Sequence, residues 1–480
     1  MNLPAERRSA VAGALERINR RFGAGAKTME NIQRLRDGAS VVVTGQQVAL
    51  FGGPLFSLLK VLTVAMIAEK TNAVPVFWLA TEDHDLEEVN FAQFPAGDHL
   101  QTLRIHPPHT EGAPVGTIAF PEEITGLVDE LEKQFGSSEI LDAVRNSYRP
   151  GESFGGAFGK LFSSIFADFG LILLDPGDAE LHRIARPVYR ESFIKWKEIN
   201  EALLQRNREL EAAGYHAQVK VTPSHTLCFY LHNGARIPIR HDSQNFVAGE
   251  LKFSHEELIA EAENRPECLS ANVLLRPIIQ DYLLPTLCYA GGPSEIAYFA
   301  QIAAVYKNLL GRVTPVVPRI FATLVEPRQA KLLERYQLTL PDIFRGPEKL
   351  RELVASKALP ESIMKSFDVA AEHLEQALAA IAGPLKKLDA TLADAAEHAG
   401  SKMRYQIQSL RDKAARAESR KNTETQRHAD ELSTLLYPNK NLQEREVVGI
   451  YFLLKHGAAL LQTLREKLNP DCPNHQVVPL

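Results

Sequence analysis

The sequence predicts an α/β fold: a doubly wound parallel sheet carrying insertions, followed by an antiparallel helical coiled coil. Three observations predict it. The stretch Val41 to Lys60, VVVTGQQVALFGGPLFSLLK, opens with three β-branched residues, then turns polar and glycine-rich. It continues with Leu55, Leu58, Leu59, Leu62 and Met66 at helical spacing. An uninterrupted apolar strand of this kind is buried on both faces. The same device returns at Leu283 to Glu295, where an apolar run precedes Ala290-Gly291-Gly292-Pro293-Ser294-Glu295. Beyond Ser366 the positions Leu374, Leu378, Ile381, Leu385, Leu388, Leu392 and Ala395 alternate steps of four and three, a heptad seam.

Composition bounds the class. The chain has 480 residues, 45% hydrophobic and 24% charged, enough for roughly two or three domains with sizeable cores. A net charge of -5 gives no basic field for nucleic acid. Cys228, Cys268, Cys288 and Cys472 lie far apart without a CxxC pair. That argues against a disulfide framework and a zinc knuckle, and suits a reducing cytoplasm. MNLPAERRSA lacks an apolar signal region, and no run reaches membrane-spanning length. The expectation is a cytoplasmic protein with no membrane partner.

In order along the chain, residues 4–37 read as helical, with Val11, Leu15, Ile18 and Phe22 on one face. The strand at Val41 leads to Thr44, Gly45, Gln46 and Gln47, then Gly52, Gly53 and Pro54, the last suited to a first helical position. A strand, a glycine turn and a helix N-terminus present amides and a positive dipole end to a phosphate or carboxylate. The segment is neither GxGxxG nor a P-loop, and an ordinary strand-to-helix turn is the competing reading. Val74 to Ala80, VPVFWLA, is a second buried strand that completes a βαβ unit. It ends in TEDHDLEEVN. At that end Asp83, His84 and Asp85 could hold an amine, orient a hydroxyl or share a magnesium ion with phosphates. Glu87 and Glu88 read as acids that a helix N-terminus favours.

Residues 90–150, broken by Pro107, Pro108, Pro114 and Pro121, read as an insertion. Phe154, Phe158, Leu161, Phe162, Ile165 and Phe166 have helical spacing and belong to a core, and Leu171 to Leu174 is a third strand. Leu181 to Gly214 is helical. Gln218 to Leu231 alternates and pairs with Arg236 to Arg240 around His232-Asn233-Gly234, a second insertion over the site. His225, His232 and His241 lack metal-ligand spacing. Asn272, Arg276, Gln280 and Asp281 interrupt an apolar helix-like run and predict a polar cavity. Gly291 and Gly292 form the second glycine turn, with Ser294 and Glu295 in the first helical turn after it. Val316 to Arg319 is the last strand. The heptad seam continues through Met403, Ile407 and Leu410, with Pro384 as a kink or a fresh helix start. Two such helices cannot bury both faces alone, so a homodimer is expected. The division is a core over 1–365 with insertions near 95–150 and 195–270, a coiled-coil arm over 366–436, and a C-terminal helix packed on the core over 437–480.

The set TGQQVALFGGP, VFWLATEDHD, NVLLRPIIQDYLLPT, YAGGPSEIAY and LYPNKNLQERE, in this order, resembles the bacillithiol biosynthesis cysteine-adding enzymes, a family of cysteine ligases. The resemblance implies a Rossmann-type core with connecting-peptide insertions, similar to class I cysteinyl-tRNA synthetases and the mycothiol ligase, and a dimerising coiled coil. It implies joining of L-cysteine to glucosaminyl malate, the cysteine carboxylate being activated by ATP and attacked by the glucosamine amine. Ala49 stands where the family usually has glycine. The zinc-binding pattern, HIGH and KMSKS of the synthetases are absent, so no zinc is expected; magnesium could accompany ATP.

Carried over by position, Thr44, Gly45, Gln46, Gln47, Gly52 and Gly53 would hold a carboxylate or phosphate at the first helix N-terminus. Asp83, His84 and Asp85 would bind the incoming amine and serve as base. Asn272, Arg276, Gln280 and Asp281 would bind the malate or sugar, Arg276 suiting a carboxylate through its bidentate fork. Gly291, Gly292, Ser294 and Glu295 would complete the nucleotide or sugar site. A nucleotidyl transferase acting on another acceptor and a nucleotide-binding dimeric scaffold remain open alternatives.

Overall fold

The structure, a computed structural model, describes residues 3–421 and 423–480, with the side chains of 418–421 also left aside. The chain forms two compact units. One comprises the chain up to Phe94, Thr102–Ala322 and Val447–Gln476; the other comprises Pro95–Gln101, Thr323–Glu446 and Val477–Leu480.

The first unit is built on a parallel sheet of β1 (Val41–Gln46), β2 (Val74–Leu79), β3 (Ile172–Leu174), β4 (Thr286–Gly291) and β5 (Val316–Pro318). Every residue of β2 and β3 is buried, as a strand covered on both faces requires. β4 starts at Thr286 rather than Leu283 because Leu283 completes a helix, α2 (Arg276–Leu283), and Pro285 intervenes. The strand order is β5-β4-β1-β2-β3. The chain therefore runs outward from β1 to β2 and β3, then returns to the other side of β1 as β4 and β5. The order reverses between β1 and β4, the place where open α/β sheets hold ligands in a crevice beyond the carboxyl ends of their strands. Gly45 lies opposite Trp78, where a Cβ would stand 2.9 Å from the Trp78 carbonyl oxygen. Only glycine permits that approach.

The helix after β1, α1 (Phe56–Lys70), begins later than Pro54. Pro54 instead bridges to Val448, and the Leu55 amide donates to the Val447 carbonyl at 2.8 Å. Segment 447–449 thus covers the N-terminus of α1. Residues 181–214 divide into two helices, Ala179–Ile194 and Trp196–Ala212. The predicted hairpin is His225–His232 with Ala235–Asp242; it starts at His225 because Pro223 and Ser224 form a turn. It belongs to an antiparallel five-stranded sheet that also holds Leu269–Ala271.

The main segment of the second unit begins at Thr323, upstream of the expected arm. The reason is that Pro327–Arg335 and Pro347–Lys357 are tied to Thr423–Leu436, Arg328 pairing with Glu431 and Arg351 with Asp430. Its long helices, Glu361–Leu388 and Thr391–Lys421, run antiparallel, with Arg404 on Glu375 at 2.7 Å and Arg411 on Asp368 at 3.3 Å. Pro384 sits within the first helix, which continues to Leu388. Leu374, Leu378 and Leu385 are half-buried on the seam, whereas Ile381, Leu388, Met403 and Leu410 stay exposed. In place of one final helix, Gly449–His456 and Ala459–Lys467 pack on α1 within the first unit. Among the described residues no helix is long and apolar enough to cross a membrane.

Candidate active site at the reversal of strand order

The crevice between β1 and β4 is organised by Lys60 on α1. Its ammonium donates to the Gly45 carbonyl at 2.6 Å and to Gln46 Oε1 at 3.0 Å, and pairs with Glu295 Oε2 at 2.7 Å. Glu295 lies in the first turn of α3 (Pro293–Leu310). It accepts from the Gly292 amide at 2.8 Å and from the Tyr289 hydroxyl at 2.6 Å. One lysine thus ties the two glycine turns together. Arg276 stands beside them: Nη1 donates to Gln280 Oε1 at 3.1 Å and Nη2 to the Tyr298 hydroxyl at 3.2 Å. Its guanidinium lies 5.5 Å from the Trp78 ring centre and 5.3 Å from that of Tyr289. Arg319 follows β5, its amide donating to the Gly291 carbonyl at 2.9 Å.

Three cations surrounding one carboxylate leave this edge of the sheet positive. Burial pushes the Lys60 ammonium below its usual value, and Glu295 offsets that only in part. Burial also works against the Glu295 carboxylate, but Lys60 and the Gly292 amide outweigh it and hold the group below its usual value. Tyr289 is raised well above its usual value by burial and by Glu295, so it remains a neutral donor. The arrangement can hold a carboxylate or phosphate.

The end of β2 has the opposite polarity. Gln47 Nε2 donates to Asp83 Oδ2 at 2.8 Å and to Glu88 Oε2 at 2.6 Å. Asp83 Oδ1 accepts from the His84 amide at 2.8 Å. The His84 ring is exposed and meets Arg236 Nη1 at 3.1 Å through Nδ1. Asp85 is exposed beside them. Behind this edge the buried His182 stands 3.3 Å from Glu82, beside a cavity of about 10 Å³, room for about one water. Burial disfavours the His182 cation, yet Glu82 and the Pro266 carbonyl raise its pKa overall.

The fold brings together Gly45, Gln46, Gln47, Asp83, His84, Arg276, Gln280, Gly291, Gly292 and Glu295, with Ser294 exposed on the first turn of α3. Four expectations need correction. The Thr44 hydroxyl is buried and donates to the Ala290 carbonyl at 2.8 Å, joining β1 to β4. Gly52 and Gly53 are buried, their amides donating to the Tyr148 hydroxyl at 3.1 Å and the Leu50 carbonyl at 3.1 Å, so they offer nothing to a nucleotide. The Asn272 side-chain oxygen accepts from the Leu274 amide at 2.9 Å and the Leu275 amide at 3.1 Å, and its Nδ2 donates to the Thr226 carbonyl. The Asp281 carboxylate accepts from the Tyr306 and Thr314 hydroxyls and from Gln280, all buried. Ala49 has φ -76° and ψ 154°, extended backbone that needs no glycine.

Sequence reasoning missed Lys60, Tyr289, Tyr298, Arg319 and Arg236. Lys60 was legible as the one charge in the apolar run Leu55 to Met66. Among the described residues no group of three or more His, Cys, Asp or Glu side chains is placed to hold a metal ion.

The family model described as "Bacillithiol biosynthesis BshC, N-terminal Rossmann-like domain" matches residues 2–320, and "Bacillithiol biosynthesis BshC, C-terminal coiled-coil domain" matches 322–480. A protein of Koribacter versatilis named "Putative cysteine ligase BshC" is 48% identical over 477 residues, covering 98% of this chain and 90% of its own. Relatives of the same name from Solibacter usitatus and Salinibacter ruber are 37% and 35% identical, covering 98% and 99% of this chain and 90% and 89% of their own. Both units match, and the identity extends over nearly the whole length, so the chain belongs to the BshC family of bacillithiol biosynthesis.

Proposed function

We propose that the protein joins L-cysteine to glucosaminyl malate, with ATP activating the cysteine carboxylate. The glucosamine nitrogen attacks the activated carbonyl, the C–N bond forms, the activating group leaves and the nitrogen gives up a proton. The observation that carries this reading is the split polarity of the sheet's carboxyl edge. Lys60, Arg276 and Arg319 surround the crevice between β1 and β4, while Asp83 and Glu88 converge on Gln47 beside it. The reaction needs those two halves: a positive one for carboxylate or phosphate, and a negative one for an amine. Arg276 would take the malate carboxylate. Ser294, at the N-terminus of α3, lies where that helix's dipole favours phosphate. Magnesium brought in with ATP would meet hard oxygen donors in Asp83 and Glu88, with waters and phosphate completing its shell. A thiol substrate suits a reducing cytoplasm.

Incubation with ATP, cysteine and glucosaminyl malate, read by mass spectrometry, tests this. A thiol-bearing amide product is expected from the wild type. Arg276→Ala should lower kcat/KM for glucosaminyl malate about 100-fold or more, since a buried charged hydrogen bond is lost. Adenylated acceptor without thiol product would point to a nucleotidyl transferase. Stabilisation by nucleotide without turnover would point to a scaffold.

We also propose that two copies pair through the exposed apolar positions Ile381, Leu388, Met403 and Leu410 of the long helices. Light scattering should give twice the chain mass for the wild type and a shift towards the single-chain mass for Leu410→Lys. A monomeric wild type would end that idea.

A further inference from the structure

His84 and the arginine that meets it come from distant parts of the first unit: His84 follows β2, and Arg236 lies on Ala235–Asp242 of the inserted sheet. A guanidinium carries only N–H groups. In the 3.1 Å contact Nδ1 of His84 is therefore the acceptor, and the neutral ring holds its hydrogen on Nε2. Arg236 is not free to turn away. Its Nε donates to Ser270 Oγ at 2.9 Å and its Nη2 to the Ala271 carbonyl at 2.6 Å. Its guanidinium carbon lies 3.8 Å from the Phe229 ring centre, its own amide donates to the Gly112 carbonyl at 2.8 Å, and it is 9% exposed. The His84 ring also rests on Phe229, centre to centre 5.7 Å, while its side chain is 41% exposed. Nδ1 of the imidazole is held by a fixed cation, with Asp83 Oδ1 3.8 Å from the same nitrogen, and the side chain stays partly open to solvent after β2.

We propose that Arg236 is a positioning residue that fixes His84 as the Nε2–H tautomer, so that His84 serves as a hydrogen-bond donor. Its partner is a substrate oxygen: a carbonyl, a phosphate or a sugar hydroxyl. This differs from the base expected from the sequence, which would need a free lone pair to accept the amine's proton. The substrate class rests on the ligase reading; the tautomer does not.

Two measurements on the full chain test it. Solid-state nitrogen NMR with labelled histidine, subtracting the spectrum of His84→Gln, isolates the His84 ring. The expected result is a protonated Nε2 and an unprotonated, hydrogen-bonded Nδ1. Arg236→Met should mix the tautomers, and Arg236→Lys, which keeps a donor, should restore the Nε2–H form in part. A wild-type ring protonated on Nδ1 overturns the proposal regardless of activity. In the coupling assay, His84→Gln offers an amide oxygen to Arg236 and an N–H outward. It should keep activity within about tenfold of wild type, whereas His84→Ala should lose about 100-fold or more. Equal, large losses in both variants would assign His84 as the base and overturn the donor role. A wild type that couples nothing would instead sink the ligase reading and leave the tautomer result standing.

Discussion

Replacing Lys60 with methionine is expected to lower the coupling rate at least about 100-fold, as loss of a preorganised cation at a charged site does. It should also cost about 3–5 kcal/mol of stability, because removing one partner of a buried pair leaves the other charge uncompensated. Lys60 is 3% exposed and the Glu295 side chain 19%, so solvent screens little of this. The double variant Lys60→Met with Glu295→Gln should recover much of the stability but not the activity, since the crevice loses its cation either way. Urea denaturation and the mass-spectrometric assay read the two effects separately. If Lys60→Met kept both stability and turnover, the two glycine turns would not depend on this residue.

The pH dependence follows from the same pair. The folded Glu295 value lies below the usual 4.5. Between the two values the unfolded chain binds the extra proton, so stability rises with pH there and is lost as pH falls through the folded value. Lys60 in the folded state also lies below its usual 10.5. The unfolded chain again binds more protons between those values, so stability rises with pH in that alkaline window too. Glu295→Gln should flatten the acid limb of a stability-against-pH curve, leaving the fall that other carboxylates cause.

Much of this arrangement was legible because continuous apolar runs dictate buried parallel strands. Val41–Val43, Val74–Leu79 and Ile172–Leu174 are such runs, and each is a strand of the sheet. Two glycine turns after buried strands were legible as well, and β1 and β4 prove to be neighbours. What a turn glycine is for was not legible. Gly45 admits the Trp78 carbonyl beside the crevice. Gly52 and Gly53, with φ of 85° and 73°, instead let the chain bend through the core against Phe162 and Ala49. Both uses leave the same letters in the sequence. Arg236 had no local signal, since its contact with His84 exists only once the inserted sheet is docked. The four polar residues before β4 show the same limit: spacing placed them near one helix, but only tertiary partners separate Arg276 and Gln280 from Asp281.

Asp281 therefore carries the second large expected effect, and it is structural. Its carboxylate, 3% exposed, accepts from the Tyr306 and Thr314 hydroxyls and from Gln280 Nε2 at 3.0 Å. Asp281→Ala leaves the Thr314 hydroxyl and the Gln280 amide without their acceptor in the interior, whereas the Tyr306 hydroxyl keeps the Pro277 carbonyl at 3.1 Å, at about 1–3 kcal/mol for each group that finds no substitute. A total loss of about 3–5 kcal/mol is expected, read as a lower urea midpoint at unchanged slope. Asp281→Asn, which keeps one acceptor oxygen, should lose less. Gln280 links Asp281 to Arg276, so a small drop in kcat can follow from a less firmly held guanidinium. KM for glucosaminyl malate in the folded Asp281→Asn variant should stay within about threefold of wild type, because no substrate group replaces the lost contact. The opposite pattern, KM raised more than about tenfold with stability intact, would return Asp281 to the substrate site and remove the anchor on which the placement of Arg276 depends.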